Sequence, residues 1–294
     1  MRTVWINGTA QSAEAASISV FDRGFLYGDS VFETLRTYGG RPFALDEHME
    51  RLGRSAERVL IPMPLDAAAF GAEVEHAVAT AQNAESYVRV MLTRGTGPLS
   101  LDPDTAVHPN RIVFVEPLVA PPPEVYERGI GVVLFRTNRA TDGTQGAGAK
   151  VANYLTSLLA LREARLKNAS EALIVDGLGR VLEGTTSNVF IVRGSALITP
   201  PEASGILAGI TRAYVLASAP GAGLTVQIAD IEERQLFEAD EVFICSSIRE
   251  VVPIVQVAGR AIGNGAPGSV TRAVLEAFRR AARARSATSS LTAR

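Results

Sequence analysis

The chain has 294 residues, 47% hydrophobic and 20% charged, with a formal net charge of −2 and a pI near 6.0. That length buries a sizeable core and favours about two domains, while the charge balance excludes an extended nucleic-acid footprint. A single cysteine, Cys245, rules out an internal disulfide framework and a cysteine-built zinc site, and three scattered histidines (His48, His76, His108) argue against a metal centre.

The opening MRTVWINGTA lacks the apolar run of a signal peptide, and no stretch reaches about 18 uninterrupted apolar residues. A cytoplasmic protein without a membrane partner is expected. Residues 3–6 predict a strand turning at Asn7-Gly8. SVFETLRTYGGRPFAL (30–45) predicts a hairpin about Gly39-Gly40. Asp46 is expected to cap a helix whose inner face carries Met49, Leu52, Ala56 and Val59, with Arg51 on the polar side. A second helix is expected from Asp66 to Gln82, then strands over 86–95 and 111–119. The long polar loop between these strands has the length of functional loops.

Three prolines in VAPPPEVYERG mark a stiff linker over residues 120–129. It divides an N-terminal domain, 1–119, from a C-terminal domain, 130–294, whose tail frays after about residue 285. Beyond it, a strand at 130–136 leads to a glycine run (Gly143, Gly146, Gly148) and Lys150. Val151, Tyr154, Leu155, Leu158, Leu159 and Arg162 fall at the spacing of one helix face. EALIVDGLGRVLEGTTSNVFIVRGSALITP reads as consecutive antiparallel strands, and ILAGITRAYVLASA as a turn into a helix. Strands follow at 241–247 and 252–257, with a last helix from Ser269 to Arg285. Its arginines (Arg279, Arg280, Arg283, Arg285) read as a solvated face. Strands dominate and helices sit between hairpins, so the class is α+β.

Lys150 admits several readings. One is a solvated loop lysine. A phosphate loop is argued against by the order Gly148-Ala149-Lys150-Val151, which lacks the Gly-Lys-Ser/Thr ending. The third is a Schiff-base lysine, an amine held at an apolar wall, with Tyr154 four residues on to hydrogen-bond a cofactor hydroxyl. EGTTSNVFIV places Glu183 at a strand end, either as a surface acid or facing the ring nitrogen of pyridoxal phosphate. GILAGITRAYVL sets backbone amides and Thr211 at a helix N-terminus, an ordinary turn or an anion site. Arg51 is a solvated helix arginine or a bidentate phosphate ligand.

Six stretches occur in order: FDRGFLYGDSVFETLR (21–36), HMERL (48–52), KVANYL (150–155), EGTTSNVF (183–190), GILAGITR (205–212) and SSIREVVP (246–253). With them the chain resembles the class IV aminotransferases, the fold-type IV pyridoxal-phosphate enzymes, from about Trp5 to Gln256. The resemblance implies a two-domain fold, a smaller N-terminal α/β domain and a larger C-terminal one rich in antiparallel strands, with pyridoxal 5'-phosphate in the interdomain cleft. It implies that Lys150 carries the aldimine and shuttles the substrate proton, that Glu183 pairs with the pyridine nitrogen, and that Tyr154 bonds the phenolic oxygen. Arg51, Ile210, Thr211 and Ser247 then hold the phosphate. Tyr27, Phe32, Arg36, Arg89 and Arg94 line the substrate side, and Ile248 offers an amide to the carboxylate.

The resemblance further implies a homodimer, with the loop from Gly95 to Leu101 reaching the neighbouring subunit's site, and an amino acid and a 2-oxo acid as partners. Transamination and aminodeoxychorismate lyase chemistry share this lysine and cofactor, so the residues leave both open. Thr34 and SSIREVVP look more like lyases and D-amino-acid enzymes; NYLTSLL, YVR and EGTTSNVFIV look more like branched-chain enzymes.

Overall fold

A computed structural model describes residues 1–137 and 148–288. It divides into two compact units. Unit 1 comprises Met1–Val119, Ala149–Asn153 and Ala282–Arg294; unit 2 comprises Ala120–Gly148 and Tyr154–Ala281. The short segment 149–153 thus groups with the N-terminal residues, although the proline-rich stretch separates them in sequence.

Unit 1 begins with β1 (Thr3–Ile6), β2 (Thr9–Gln11), α1 (Arg23–Tyr27), β3 (Ser30–Tyr38) and β4 (Arg41–Pro42). Helices α2 (Leu45–Arg58) and α3 (Ala67–Ala81) follow, then β5 (Ser86–Thr93) and β6 (Asn110–Pro117). The strands form a six-stranded antiparallel sheet in the order β2-β1-β6-β5-β3-β4. Apolar residues alternate along the central strands, so Val31 and Leu35 of β3 and Val88, Val90 and Leu92 of β5 share one face. Met49, Leu52 and Ala56 of α2 and Phe70, Val74 and Ala77 of α3 close over it. Each such fully buried large side chain contributes roughly 2 kcal/mol.

Asp66, where the sequence reading starts this helix, caps α3, its carboxylate accepting from Ala69 N. Asp46 does not cap α2: the cap is Ala44, which has no side-chain acceptor, and Asp46 lies within the first turn, where its charge favours the helix dipole.

Unit 2 opens with α4 (Pro123–Arg128), which occupies much of the stretch read as a linker because proline suits a first helical turn. Then come β7 (Ile130–Arg136), α5 (Leu155–Leu166), β8 (Glu171–Val175), β9 (Arg180–Gly184), β10 (Asn188–Arg193) and β11 (Ala196–Thr199). Helix α6 (Ile210–Ser218) precedes β12 (Thr225–Ile228), β13 (Ile231–Glu232) and α7 (Glu233–Glu238). The chain closes with β14 (Glu241–Ser246), β15 (Glu250–Val257), β16 (Arg260–Ala261) and α8 (Ser269–Thr288).

The sheet runs β12-β11-β10-β14-β15-β7-β8-β9-β13, with β16 beside β15. Pairs β15–β7, β7–β8 and β11–β12 are parallel and the others antiparallel. Here the sequence reading needs correction. β8–β9 and β10–β11 are hairpins, but β9 and β10 are not ladder partners; β10 pairs with β14 instead. Phe190 and Phe243, both fully buried, stack across that pairing, ring centroids 4.9 Å apart.

The predicted apolar helix face after Lys150 is also corrected. Helix α5 starts at Leu155, so Lys150, Val151 and Tyr154 do not lie on a shared helical face. Its inner face is Ala160 and Ala164, packed with Ala172, Ile174 and Leu182, because small residues let the helix approach the sheet closely. Leu155, Leu158 and Leu159 are 64%, 61% and 50% exposed. No helix among the described residues is long and apolar enough to cross a membrane.

Candidate active site

In unit 1 the predicted nucleophile is held by backbone on both sides. The Lys150 N–H donates to Ser55 Oγ on α2 (3.2 Å), and its carbonyl accepts from Phe32 N on β3 (3.0 Å). Ala152 N donates to the Ser30 carbonyl (3.0 Å), and Val151 bridges Val31 in antiparallel fashion. Segment 149–153 therefore acts as a short extra strand at β3. The Lys150 Nζ lies over the Phe32 ring, 4.5 Å from its centroid. Gly143 and Gly146 of the glycine run lie outside the described residues; Gly148, with φ 76°, takes a left-handed conformation that suits glycine.

Arg51 is not on the polar side of α2, as expected from sequence, but buried. Its Nε and Nη2 bond the two carboxylate oxygens of Glu33 at 2.7 and 2.6 Å. His48 Nδ1 lies 2.7 Å from Glu33 Oε2. Burial pushes the Glu33 carboxyl up, but the charge and hydrogen bonds of Arg51, with His48, outweigh it and hold its pKa at about 2. Burial pushes the His48 pKa down; Glu33 opposes this, and the charges of Arg51 and Lys150 add to it. Positions 48, 51 and 55 lie on one helix face, the spacing that carries this polar cluster, and its members Glu33, His48 and Ser55 had no role in the sequence reading.

The face of the sheet opposite α2 and α3 bears the cross-strand rows Phe32–Met91–Ile112 and Thr34–Arg89–Phe114. Arg89 stacks on Phe32, its guanidinium carbon 3.9 Å from the ring centroid, so Phe32 carries both this arginine and Lys150. Arg36 lies over the Tyr38 ring at 4.4 Å and donates to the Thr37 carbonyl. Tyr27, at the end of α1, is 40% exposed and stacks with Arg23. Arg94 departs from the substrate-side expectation. It is buried, paired with Asp29 at 2.7 Å, and donates to the carbonyls of Val59 and Leu60. That engagement makes it a clamp between the end of α2 and the start of β3.

In unit 2, Glu183 stands next to the end of β9, half-buried, its Oε2 accepting from Leu207 N (3.1 Å). Ile210 and Thr211 form the first turn of α6, whose cap, Gly209, supplies no side-chain acceptor. A Cβ at Gly209 would collide with Asn188 Oδ1, so any larger residue there would force the Asn188 side chain off its bond to the Leu207 carbonyl. The Thr211 hydroxyl is buried and has no hydrogen-bond partner, an expensive arrangement unless an anion meets it. Ser247 and Ile248 sit in the turn joining β14 to β15. Tyr154 is the N-cap of α5, half-buried, with φ −100°. Among the described residues no cluster of His, Cys, Asp and Glu could hold a metal ion. Burial pushes the lone thiol, Cys245, up to about 12, which makes it inert.

These donors fit pyridoxal phosphate. A primary amine stands on an aromatic ring, a carboxylate at a strand end suits a pyridinium, and a helix N-terminus with an orphaned buried hydroxyl suits a phosphate.

The family described as Amino-transferase class IV matches residues 30–257. A putative branched-chain-amino-acid aminotransferase of Methanocaldococcus jannaschii is 36% identical over 94% of this chain and 95% of its own length. A D-alanine aminotransferase of Bacillus licheniformis is 31% identical over 94% and 95%. The solved branched-chain amino acid aminotransferase of T.th., complexed with N-(5'-phosphopyridoxyl)-L-glutamate, superposes with a TM-score of 0.89 at 30% identity, covering 96% of this chain and 94% of that one. Transamination is thereby favoured over the lyase reaction. A lysine and glutamate at the spacing of the six stretches, on a matching fold, lead to one assignment: the chain belongs to the class IV aminotransferases, the fold-type IV enzymes that transfer amino groups with pyridoxal phosphate.

Proposed function

We propose that the protein is a cytoplasmic homodimeric aminotransferase that exchanges the amino group of a branched-chain L-amino acid with a dicarboxylic 2-oxo acid. The observation that carries this reading is the Phe32 ring, which bears Lys150 on one hand and Arg89 on the other. Met91 and Phe114, partly exposed on the face that bears the buried Phe32, offer apolar surface to an aliphatic side chain, and the Arg89 guanidinium suits a second carboxylate. Relatives named as branched-chain aminotransferases agree with an aliphatic substrate. The exposed leucines of α5 are the surface we assign to the second copy, and the single reduced cysteine fits a reducing compartment.

Pyridoxal phosphate, when bound, supplies an electrophilic carbon and an electron-accepting ring. With it bound, Lys150 would be the amine that holds it, and its Nζ would accept and donate the substrate Cα proton. The two backbone hydrogen bonds at Lys150 fix where that proton is handled. Glu183, held in orientation by Leu207 N, would keep the ring nitrogen protonated. We assign Ile210, Thr211 and Ser247 to the phosphate, and Arg51, kept rigid by Glu33, as a further phosphate ligand. Tyr154 would orient the cofactor's phenolic oxygen, and Ile248 N would receive the substrate carboxylate.

The 31% identical D-alanine aminotransferase supports a second reading, a D-amino-acid substrate. Visible absorbance of the purified holoenzyme separates the two. Conversion of the yellow form by L-leucine and L-glutamate is the expected result. Conversion by D-alanine and D-glutamate alone would replace this proposal by the second reading.

A further inference from the structure

A buried acid in unit 2 is left over by the chemistry above. Glu171, at the start of β8, is almost wholly buried. Its Oε1 accepts from Ala172 N (2.9 Å), from Thr185 N (3.2 Å) and from the Thr185 hydroxyl. Its Oε2 pairs with Arg249 Nη2 at 2.7 Å, and the same nitrogen donates to Thr186 Oγ1 at 3.0 Å. Arg249 lies in the turn after Ser247 and Ile248, and its carbonyl accepts from Tyr126 Oη (3.2 Å). The next residue, Glu250, has φ 58° and is paired with Arg279 Nη2 at 2.6 Å.

Two loops thus meet on one carboxylate. One is Thr185–Thr186, immediately after Glu183 and Gly184; the other carries Ser247 and Ile248. The carboxylate is buried while the Arg249 side chain is 24% exposed, and an ion pair that desolvates one partner so fully stabilises little once that cost is counted. The pair therefore serves the hairpin turn poorly as mere packing. What it does supply is direction. The guanidinium is planar and its donors are fixed, so binding Glu171 and Thr186 together leaves the Ser247–Ile248 turn one position relative to the strand end that bears Glu183.

We propose that Arg249 and Glu171 are a positioning pair. They set where the Ser247–Ile248 turn presents its hydroxyl and amide, and so tune the affinity for the cofactor phosphate and the substrate carboxylate without touching either. The inference rests on the assignment of Ser247 and Ile248 to those two anions.

The test compares the wild-type protein with Arg249→Gln, Arg249→Lys and Thr186→Val. For each, the pyridoxal phosphate dissociation constant of the cofactor-free protein is read by visible absorbance, along with its melting temperature, and kcat and KM are measured on the holoenzyme. Arg249→Gln is expected to raise both the dissociation constant and the KM for the amino donor about tenfold, with kcat changed less than about threefold. Arg249→Lys restores part of the loss, because it keeps a charge on Glu171 but replaces the planar nitrogen, whose two N–H directions are fixed, by a freely rotating ammonium. Thr186→Val removes only the exposed arm of the bridge; it raises KM at an unchanged melting temperature. A lowered melting temperature in Arg249→Gln with KM and dissociation constant unchanged would make the pair a structural brace and overturn the inference. A wild-type protein that takes up no pyridoxal phosphate would overturn the cofactor assignments, and this inference with them.

Discussion

The lysine cluster of unit 1 and the α6 N-terminus of unit 2 handle their polar atoms in opposite ways. In the cluster Glu33 and the Lys150 backbone are satisfied in advance: Glu33 is saturated by Arg51 and His48, and the lysine backbone is bonded by Ser55 and Phe32. In unit 2 a buried hydroxyl, Thr211, stands at a helix N-terminus without a partner. The first arrangement fixes a reacting group and costs nothing when the ligand arrives. The second stores an unmet hydrogen bond that an anion repays. A cofactor enzyme needs both, and substitutions in the two units should fail differently.

The largest effect is expected from Lys150→Ala. Lys150 is the amine at the Phe32 ring among the described residues, so turnover should fall below detection and the visible cofactor band should be lost. A variant with wild-type turnover would remove Lys150 from the chemistry and leave the satisfied cluster of unit 1 without a purpose.

Next is Glu33→Gln, which strips the carboxylate charge from a buried Arg51. Breaking such a pair should cost about 3 kcal/mol of folding stability, measured by denaturant unfolding at neutral pH. The sign of the pH dependence follows from the direction of the shifts. Glu33 is held at about 2 against an ordinary 4.5, so its contribution is complete above pH 4.5 and is lost as pH falls toward 2. His48 is depressed below 6.5, so it too adds stability above that pH and loses it on acidification. The wild-type protein should weaken in two stages below pH 6.5, and Glu33→Gln should lack the second. Acid unfolding curves of both proteins check this.

How much of this was legible in the sequence differs between the units for a physical reason. Thr211, Ile210 and Glu183 lie in local signatures: a glycine before a helix, and a small polar run after a strand end. Short-range patterns of this kind are written into consecutive residues. The helix ends at Asp66 and Gln82 were legible for the same reason. The anchoring of Lys150 was not, because its partners, Phe32 and Ser55, are about a hundred residues away in the chain. Apolar spacing from Val151 to Arg162 mimicked one helix, although Val151 belongs to a strand bridge and the leucines of α5 face outward. Periodicity reports that a face is apolar, not what covers it. Arg51 was misplaced likewise: a helical arginine reads as solvated unless the acid opposite it, Glu33 on another element, is known.

Thr211→Val sharpens the contrast from the other side. Removing a buried hydroxyl with no partner should leave the cofactor-free protein as stable as before, or more stable by about 1 kcal/mol. The same change should weaken pyridoxal phosphate binding about tenfold, since a donor to the phosphate is gone. Melting of the cofactor-free protein and absorbance titration measure the two halves. A variant destabilised without the cofactor would show that the hydroxyl serves the fold, and the contrast between units would fail.

The smallest expected effect, Ser55→Ala, probes whether placement in unit 1 matters once the lysine is present. Ser55 Oγ accepts from the Lys150 N–H at 3.2 Å from a buried position on α2. The hydrogen bond is long, and the Phe32 N–H still holds the other side of the residue, so the backbone should shift rather than detach. A net loss of about 1 kcal/mol corresponds to roughly a fivefold fall in kcat. KM should stay unchanged, because Ser55 acts on the reacting amine and not on the groups assigned to the substrate carboxylates. The pattern is the reverse of that expected for Arg249→Gln, where KM moves and kcat holds. If Ser55→Ala instead raised KM at constant kcat, the backbone bond would be shaping the binding surface of β3, and Lys150 would owe its position to Phe32 alone.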